Sequence, residues 1–187
     1  MAGIPGGGAP LTPSDGDLVA RVLNGDREAY AALLARHQDG LYRHAMRMVG
    51  APDVAEDLIQ GALIKAYANL ARCREPERFG SWLFRILSNR CKDYLKSRRR
   101  RDTSLEESWP DEGPDPAEDA ARAELRRAVA AALDKLPTSQ REAFVLKHVE
   151  GLSYEEIAER LGTSVGSLKM RVFRARDTLQ ELLEDEL

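Results

Sequence analysis

An all-α fold of two small helical domains joined by an acidic, Pro- and Gly-rich linker is predicted by three observations. Apolar residues recur at helical spacing through most of residues 15–183, without the alternation that marks a strand. The stretch 102–117, DTSLEESWPDEGPDPA, combines three acidic clusters with Pro110, Gly113, Pro114 and Pro116, a composition that buries no core and breaks helices repeatedly. The 187 residues leave room for one medium domain or two small ones, and 43% apolar residues with few aromatics fits helices around an aliphatic core.

The opening residues, MAGIPGGGAPLTPSD, carry neither the basic nor the apolar part of a signal peptide, so residues 1–14 are expected to be a disordered leader. Four helices are expected next, at roughly Asp15–Asn24, Arg27–Val49, Val54–Leu70 and Phe79–Arg100, making a first domain of residues 15–101. The breaks between them are Gly25, the run Gly50-Ala51-Pro52, and the segment Ala71–Glu77 around Pro76. The third helix buries Leu58, Ala62, Ala66 and Leu70 or their neighbours and leaves Asp57, Gln60, Gly61, Ile64 and Lys65 on another side. An Ile amid polar residues marks either a partner surface or one stray apolar residue on an amphipathic helix. The fourth interleaves Trp82, Phe84, Tyr94 and Asn89 with Arg85, Arg90, Lys92 and Lys96. Aromatics stack on unpaired bases, cations hold the backbone and an Asn offers donor and acceptor to a base edge, although Trp82 and Phe84 are also natural core residues.

Past the linker, Ala117–Leu136 is expected to be helical up to Pro137, and Ser139–Val149 up to Gly151. The segment GLSYEEIAERLGTSVGSLKMRVFRAR then reads as a helix-turn-helix. Ser153 and Glu156 form the S-x-x-E box that starts its first helix, Gly162 ends it, and Thr163 or Ser164 caps the second. At 100° per residue, Val165, Leu168, Val172, Ala175 and Leu179 share one side of the second helix. Gly166, Ser167, Met170, Arg171, Phe173 and Arg174 spread over the rest. Such a division suits a major groove: Arg pairs with guanine or phosphate, Ser reads either, and Met or Phe meets a thymine methyl.

The net charge of −3 hides a strong asymmetry. Residues 18–101 hold 17 Lys or Arg against 9 acids and end in Lys96, Arg98, Arg99, Arg100 and Arg101, whereas residues 102–124 hold one base against nine acids. A basic block of this kind is an electrostatic footprint for phosphate backbone. Cys73 and Cys91 form no C-x-x-C and have no His cluster near them, so no disulfide scaffold, zinc site or other metal site is expected, and a reduced cytoplasmic compartment is. No apolar run approaches the ~20 residues that cross a bilayer, so no membrane insertion is expected.

Three motifs, AEDLIQGALIKAY (55–67), FGSWLFRILSNRCKDYLKSRRRR (79–101) and LPTSQREAFVLKHVEGLSYEEIAERLGTSVGSLKMRVFRAR (136–176), together resemble the extracytoplasmic-function (ECF) sigma factors of bacterial RNA polymerase, group IV of the sigma-70 superfamily. The resemblance implies a sigma-2-like domain over residues 15–101 and a sigma-4-like domain over residues 118–187. It implies that the helix around 54–70 docks on the beta-prime clamp helices of core RNA polymerase, assigning Asp57, Gln60, Gly61 and Ile64 to that surface, with the beta subunit as a further contact. Positions 71–81 match the loop that captures a base flipped from the minus-10 element, and Asn89 aligns with the Asn that reads it. Arg85, Lys92 and Trp82 join Asn89 as minus-10 residues. Ser167, Lys169, Met170, Arg171, Phe173 and Arg174 fall to the minus-35 element, with Arg174 as guanine reader. An anti-sigma factor is implied as a partner, and no cofactor. The family usually carries an acid where Gly61 stands, so weaker docking, or docking on Asp57 and Gln60, is expected along with a helix penalty of roughly 1 kcal/mol. Cys73 replaces a common aromatic and Met170 a common Ser, which bears on promoter sequence.

Two rivals differ in class. A stand-alone helix-turn-helix regulator would need a dimer interface or a ligand domain, and neither is evident. A nuclease holding a metal on Asp53, Glu56 and Asp57 would need further ligands, whereas three acids there suit a helix N-terminus and its dipole. The expected protein is therefore no enzyme: it reads two DNA elements with two domains and leaves the chemistry to the polymerase. Its acidic linker self-repels into an extended form and is suited to a basic nucleic-acid channel.

Overall fold

The computed structural model describes residues 12–101 and 120–184, and among these every regular element is a helix. The expected linker lies outside the described residues, as does the expected leader up to residue 11. Helix α1 (Asp15–Leu23) begins where the Ser14 hydroxyl accepts from the Asp17 amide while the Asp17 carboxylate accepts from the Ser14 amide. Helix α2 (Arg27–Val49) is capped by Asp26, which accepts from the amides of Glu28 and Ala29, and ends at Gly50 with φ of 75°. Helix α3 (Pro52–Ala68) starts two residues before the expected Val54, because Pro52 has no amide hydrogen to leave unpaired and its fixed φ suits a first helical position. Two 3₁₀ turns, Leu70–Arg72 and Pro76–Arg78, lead into α4 (Phe79–Arg101).

The second half comprises α5 (Ala120–Lys135), α6 (Thr138–Phe144), α7 (Tyr154–Leu161) and α8 (Val165–Glu184). The helix expected at 139–149 is not uniform. Its last turn, Val145–Val149, is a π turn, closed by the Glu150 amide on the Val145 carbonyl at 2.9 Å. The wider turn keeps both Val145 and Leu146 in the interior and carries Glu150 round to α2.

Helix α4 is the axis of the molecule. It packs on α2 and α3 along one side and on α6 and α7 along the other, so one apolar cluster runs through both halves. Leu33, Met48, Leu83 and Leu87 contribute from the first half, and Ala143, Leu146, Ile157, Leu168 and Val172 from the second. A second cluster, built on Leu133, Leu136, Ala175 and Leu179, fixes α5 on α8. Each fully buried Leu or Ile here contributes roughly 1.5–3 kcal/mol relative to exposure. Polar ties reinforce the join: the Arg99 guanidinium donates to the carbonyls of Asp134 and Leu136 at the end of α5, and Arg141, paired with Asp134 within the second half, reaches the Arg47 carbonyl of α2 at 3.5 Å.

Candidate nucleic-acid and partner-binding faces

Helix α3 turns Ala55, Leu58, Ala62 and Ala66 inward, so the residues between them are forced out. Asp57 and Gln60 are exposed, and Ile64 is 71% exposed, with the half-exposed Tyr67 one turn further on. Gly61 differs from its neighbours. The Arg90 guanidinium lies across it, with Nε donating to the Leu58 carbonyl at 3.2 Å, and a Cβ at Gly61 would stand 2.1 Å from Arg90 Nη2. The face assigned to a partner is thus acidic and apolar with a cation laid over its one gap.

The segment before α4 is held from below. Phe79 is buried between His37 and Trp82, with ring centroids 5.8 and 6.0 Å away. His37 occupies space that a Cβ at Gly80 would enter, 2.5 Å from Cε1, and its Nε2 is 2.7 Å from the Asp15 carboxylate. The Ser14 hydroxyl donates to Glu77 Oε1 at 2.8 Å, and Gly16 leaves room for that carboxylate. The start of α1 is therefore a socket for the Pro76–Arg78 turn.

Four residues of α4 were expected to face DNA, and the structure divides them. Asn89 is exposed. Trp82 is half-buried against Phe79, as a core residue would be. Arg85 and Lys92 face the second half of the chain: a Cβ on Gly162 would stand 2.7 Å from Arg85 Nη1, and Lys92 Nζ is 3.2 Å from Glu142 Oε2. Glu142 is fully buried, and its other oxygen accepts from the Ser88 hydroxyl. A carboxylate removed from water in this way costs several kcal/mol unless partners satisfy it, and Ser88 and Lys92 supply them. Nearby, His44 Nδ1 is 3.4 Å and Arg47 Nη1 3.7 Å from Glu150 Oε1. Burial by itself raises the Glu150 carboxyl, but the hydrogen bond and charge of His44 together with Arg47 and Arg160 hold it below its ordinary value. Sequence reasoning did not find Ser88, His44 or Glu142. The signal for Glu142 was its place on a stripe with the buried Thr138 and Leu146, which its charge obscured.

The helix-turn-helix is built as its sequence reads. Ser153 and Glu156 form the reciprocal box at α7, and hydrogen bonds from the Ser153 amide and hydroxyl hold the Glu156 carboxyl below its usual range. Gly162 ends α7 at φ 64° and ψ 43°, a left-handed conformation favoured by glycine, and Ser164, not Thr163, caps α8 by accepting from the Ser167 amide at 3.2 Å. Leu168, Val172, Ala175 and Leu179 are buried, while Val165 is half-buried. The opposite face carries Met170 at 51% and Phe173 at 65% exposure, flanked by the exposed Lys169 and Arg174. Ser167 and Arg171 are half-buried at its edge, and Lys169 Nζ is 5.8 Å from the Tyr154 ring centre. Two large apolar side chains held in water among cations suit the floor of a major groove.

Both Cys73 and Cys91 are buried free thiols. Among the described residues no helix is long and apolar enough to cross a membrane, and no group of three or more His, Cys, Asp or Glu is placed to hold a metal ion.

Residues 33–101 match the family model for sigma-70 region 2, and residues 126–179 that for sigma-70, region 4. The RNA polymerase sigma-H factor of Pseudomonas aeruginosa is 34% identical over 181 residues, covering 91% of this chain and 94% of that protein. The ECF RNA polymerase sigma-E factor of Escherichia coli K12 is 35% identical over 182 residues, covering 91% and 95%. Among solved structures, CnrH in complex with the cytosolic domain of CnrY superposes with a TM-score of 0.63 at 32% identity, over 94% of this chain and all of that one. The sigma factor RpoE in complex with the anti-sigma factor NepR from Bartonella quintana gives a TM-score of 0.60 at 31% identity, over 83% of this chain and 96% of that one.

Proposed function

This chain belongs to the ECF sigma factors of the sigma-70 family, and from that membership we propose how its parts divide the work of promoter recognition. It is a sigma factor: it binds core RNA polymerase and directs transcription from specific promoters, and its partners are the polymerase, promoter DNA and an anti-sigma factor. It acts in the cytoplasm and performs no reaction of its own. Residues 15–101 form the unit that docks on polymerase and opens the minus-10 element, and residues 118–187 the unit that reads the minus-35 element.

Asp57, Gln60, Ile64 and the helix surface at Gly61 dock on the beta-prime clamp helices. Asn89 hydrogen-bonds the edge of an unpaired minus-10 base, Arg85 and Lys92 hold backbone phosphate, and Trp82 supports the pocket wall from its half-buried position. Flipping a base costs a few kcal/mol, which stacking and edge hydrogen bonds offset. Arg174 reads guanine, Met170 and Phe173 meet thymine methyls, and Ser167, Lys169 and Arg171 hold the duplex in register. The observation that carries this reading is the exposure of Met170 and Phe173 between Lys169 and Arg174 on a helix otherwise packed by its apolar stripe.

The test is reconstitution. Core polymerase assembled with the chain is expected to start transcription at discrete sites on genomic DNA fragments, and core polymerase alone is not. Tight, specific binding to such fragments by the free chain, without stimulation of polymerase, would instead establish a stand-alone regulator.

A further inference from the structure

Building on the reading of α4 as a DNA-facing helix, we infer that Ser88 and Lys92 form a phosphate-binding pair, and that Glu142 occupies this pair in the free chain as an internal stand-in for a DNA phosphate. Arg85, Ser88 and Lys92 follow one another at helical spacing along one face of α4. All three are met by the helix-turn-helix half. Arg85 lies against the Gly162 turn, Ser88 donates to Glu142 Oε1, and Lys92 reaches Oε2 at 3.2 Å. A hydroxyl and an ammonium one turn apart, each on its own oxygen of one anion, are also what a phosphodiester's two free oxygens require.

The surrounding contacts close the same interface. Arg160 lies over the Phe84 ring at 5.6 Å, Arg78 pairs with Glu159 at 3.5 Å, and His44 and Arg47 face Glu150. An apolar side chain would close this join at least as well as a buried carboxylate, so the charge of Glu142 is accounted for by what it pairs with. The pair on α4 cannot hold Glu142 and a phosphate together. The free chain is thereby self-masked, and DNA gains the Ser88–Lys92 face only as the two halves part. Core polymerase, by binding the parted form better, shifts the chain toward it.

The test uses the free full-length chain and a mixed-sequence single-stranded DNA longer than the roughly 4–16 nucleotides that such grooves cover. Glu142→Gln keeps the shape and removes the charge. This variant is expected to bind the oligonucleotide about tenfold tighter than the parent chain, to steepen the salt dependence by about 0.7 through one added phosphate contact, and to expand in small-angle X-ray scattering. Affinity equal to the parent's overturns the proposal. If the variant loses its helical circular dichroism, the parent chain carries the test: titration with the oligonucleotide at low salt is expected to expand it, and DNA binding with an unchanged scattering profile overturns the proposal. Transcription start sites from core polymerase assembled with the parent chain separate the two layers. Without starts the sigma reading of α4 fails; with starts and a silent Glu142→Gln, only the masking does.

Discussion

Arg90 crosses α3 directly over Gly61, its Nε 3.2 Å from the Leu58 carbonyl and its Nη2 2.1 Å from where a Cβ at position 61 would stand. The space of the missing side chain at this position is thus filled by a cation from α4.

Gly61→Ala sets two effects against each other. Removing a mid-helix glycine gains roughly 0.5–1 kcal/mol, while displacing the flexible Arg90 tip sacrifices a hydrogen bond of about 1 kcal/mol. The single substitution is therefore expected to be near neutral. In an Arg90→Ala background it is expected to stabilise by roughly 0.5–1 kcal/mol, and urea denaturation of the four proteins in a double-mutant cycle measures the difference.

Arg174→Ala is expected to cost about 1–3 kcal/mol of holoenzyme binding and to relax the preference at one upstream base pair, as a lost bidentate contact does. Arg171→Ala, at the half-buried edge of the same face, is expected to weaken all sequences alike. Promoter selection with reconstituted holoenzyme distinguishes them, and an unchanged upstream preference in the Arg174 variant removes its assignment as guanine reader.

Asn89→Ala is expected to leave polymerase binding intact while reducing strand opening, because Asn89 is exposed on α4 and is assigned to an unpaired base, not to the α3 face that carries Ile64. Permanganate reactivity of promoter thymines reports the opening. Wild-type reactivity would make Asn89 a bystander.

Burial raises both thiols, Cys91 to about 12 with the Glu142 charge adding to the effect, and Cys73 to a lesser degree. Native protein at pH 8 is expected to react slowly with Ellman's reagent at both positions and quickly once unfolded, since the thiolate is the reactive form. Rapid native labelling of Cys91 would show that the Glu142 side of α4 opens readily.

The lowered Glu150 carboxyl gives a pH signature. A carboxyl whose folded pKa lies below its ordinary 4.5 contributes stability that is present above that value and is lost as pH falls through the folded value. Glu150→Gln is therefore expected to be less stable than the parent at neutral pH, with the gap closing as the pH falls below 4.5. Urea midpoints across that range give the comparison.

What was legible in the sequence followed from local chemistry. The Ser153 box and the Gly50 and Gly162 ends are each decided within four residues, so the helix bounds there came within a residue or two, whereas Pro52, read as part of a break, opens α3. Exposure of Ile64 and Phe173 followed from the stripes around them. The join between the halves did not, because Ser88 meets Glu142 across 54 positions and His44 meets Glu150 across 106. Charged residues at such joins read as solvated faces until a distant partner is known. Arg85 and Lys92, expected among DNA contacts, are covered by the chain's own second half for the same reason.

The π turn at Val145–Val149 makes this protein sensitive to chain length in an unusual way. It houses one residue more than an α turn needs, the Glu150 amide closing on the Val145 carbonyl where an α turn would close on that of Leu146. Deleting one residue among Lys147, His148 and Val149 would let the same amide and carbonyl close an ordinary α turn, so Glu150 would keep its direction toward His44 and Arg47. A frame-preserving loss of one codon there would thus keep the tie between the two halves, whereas losing a second would turn Glu150 by about 100° away from both partners and cut it.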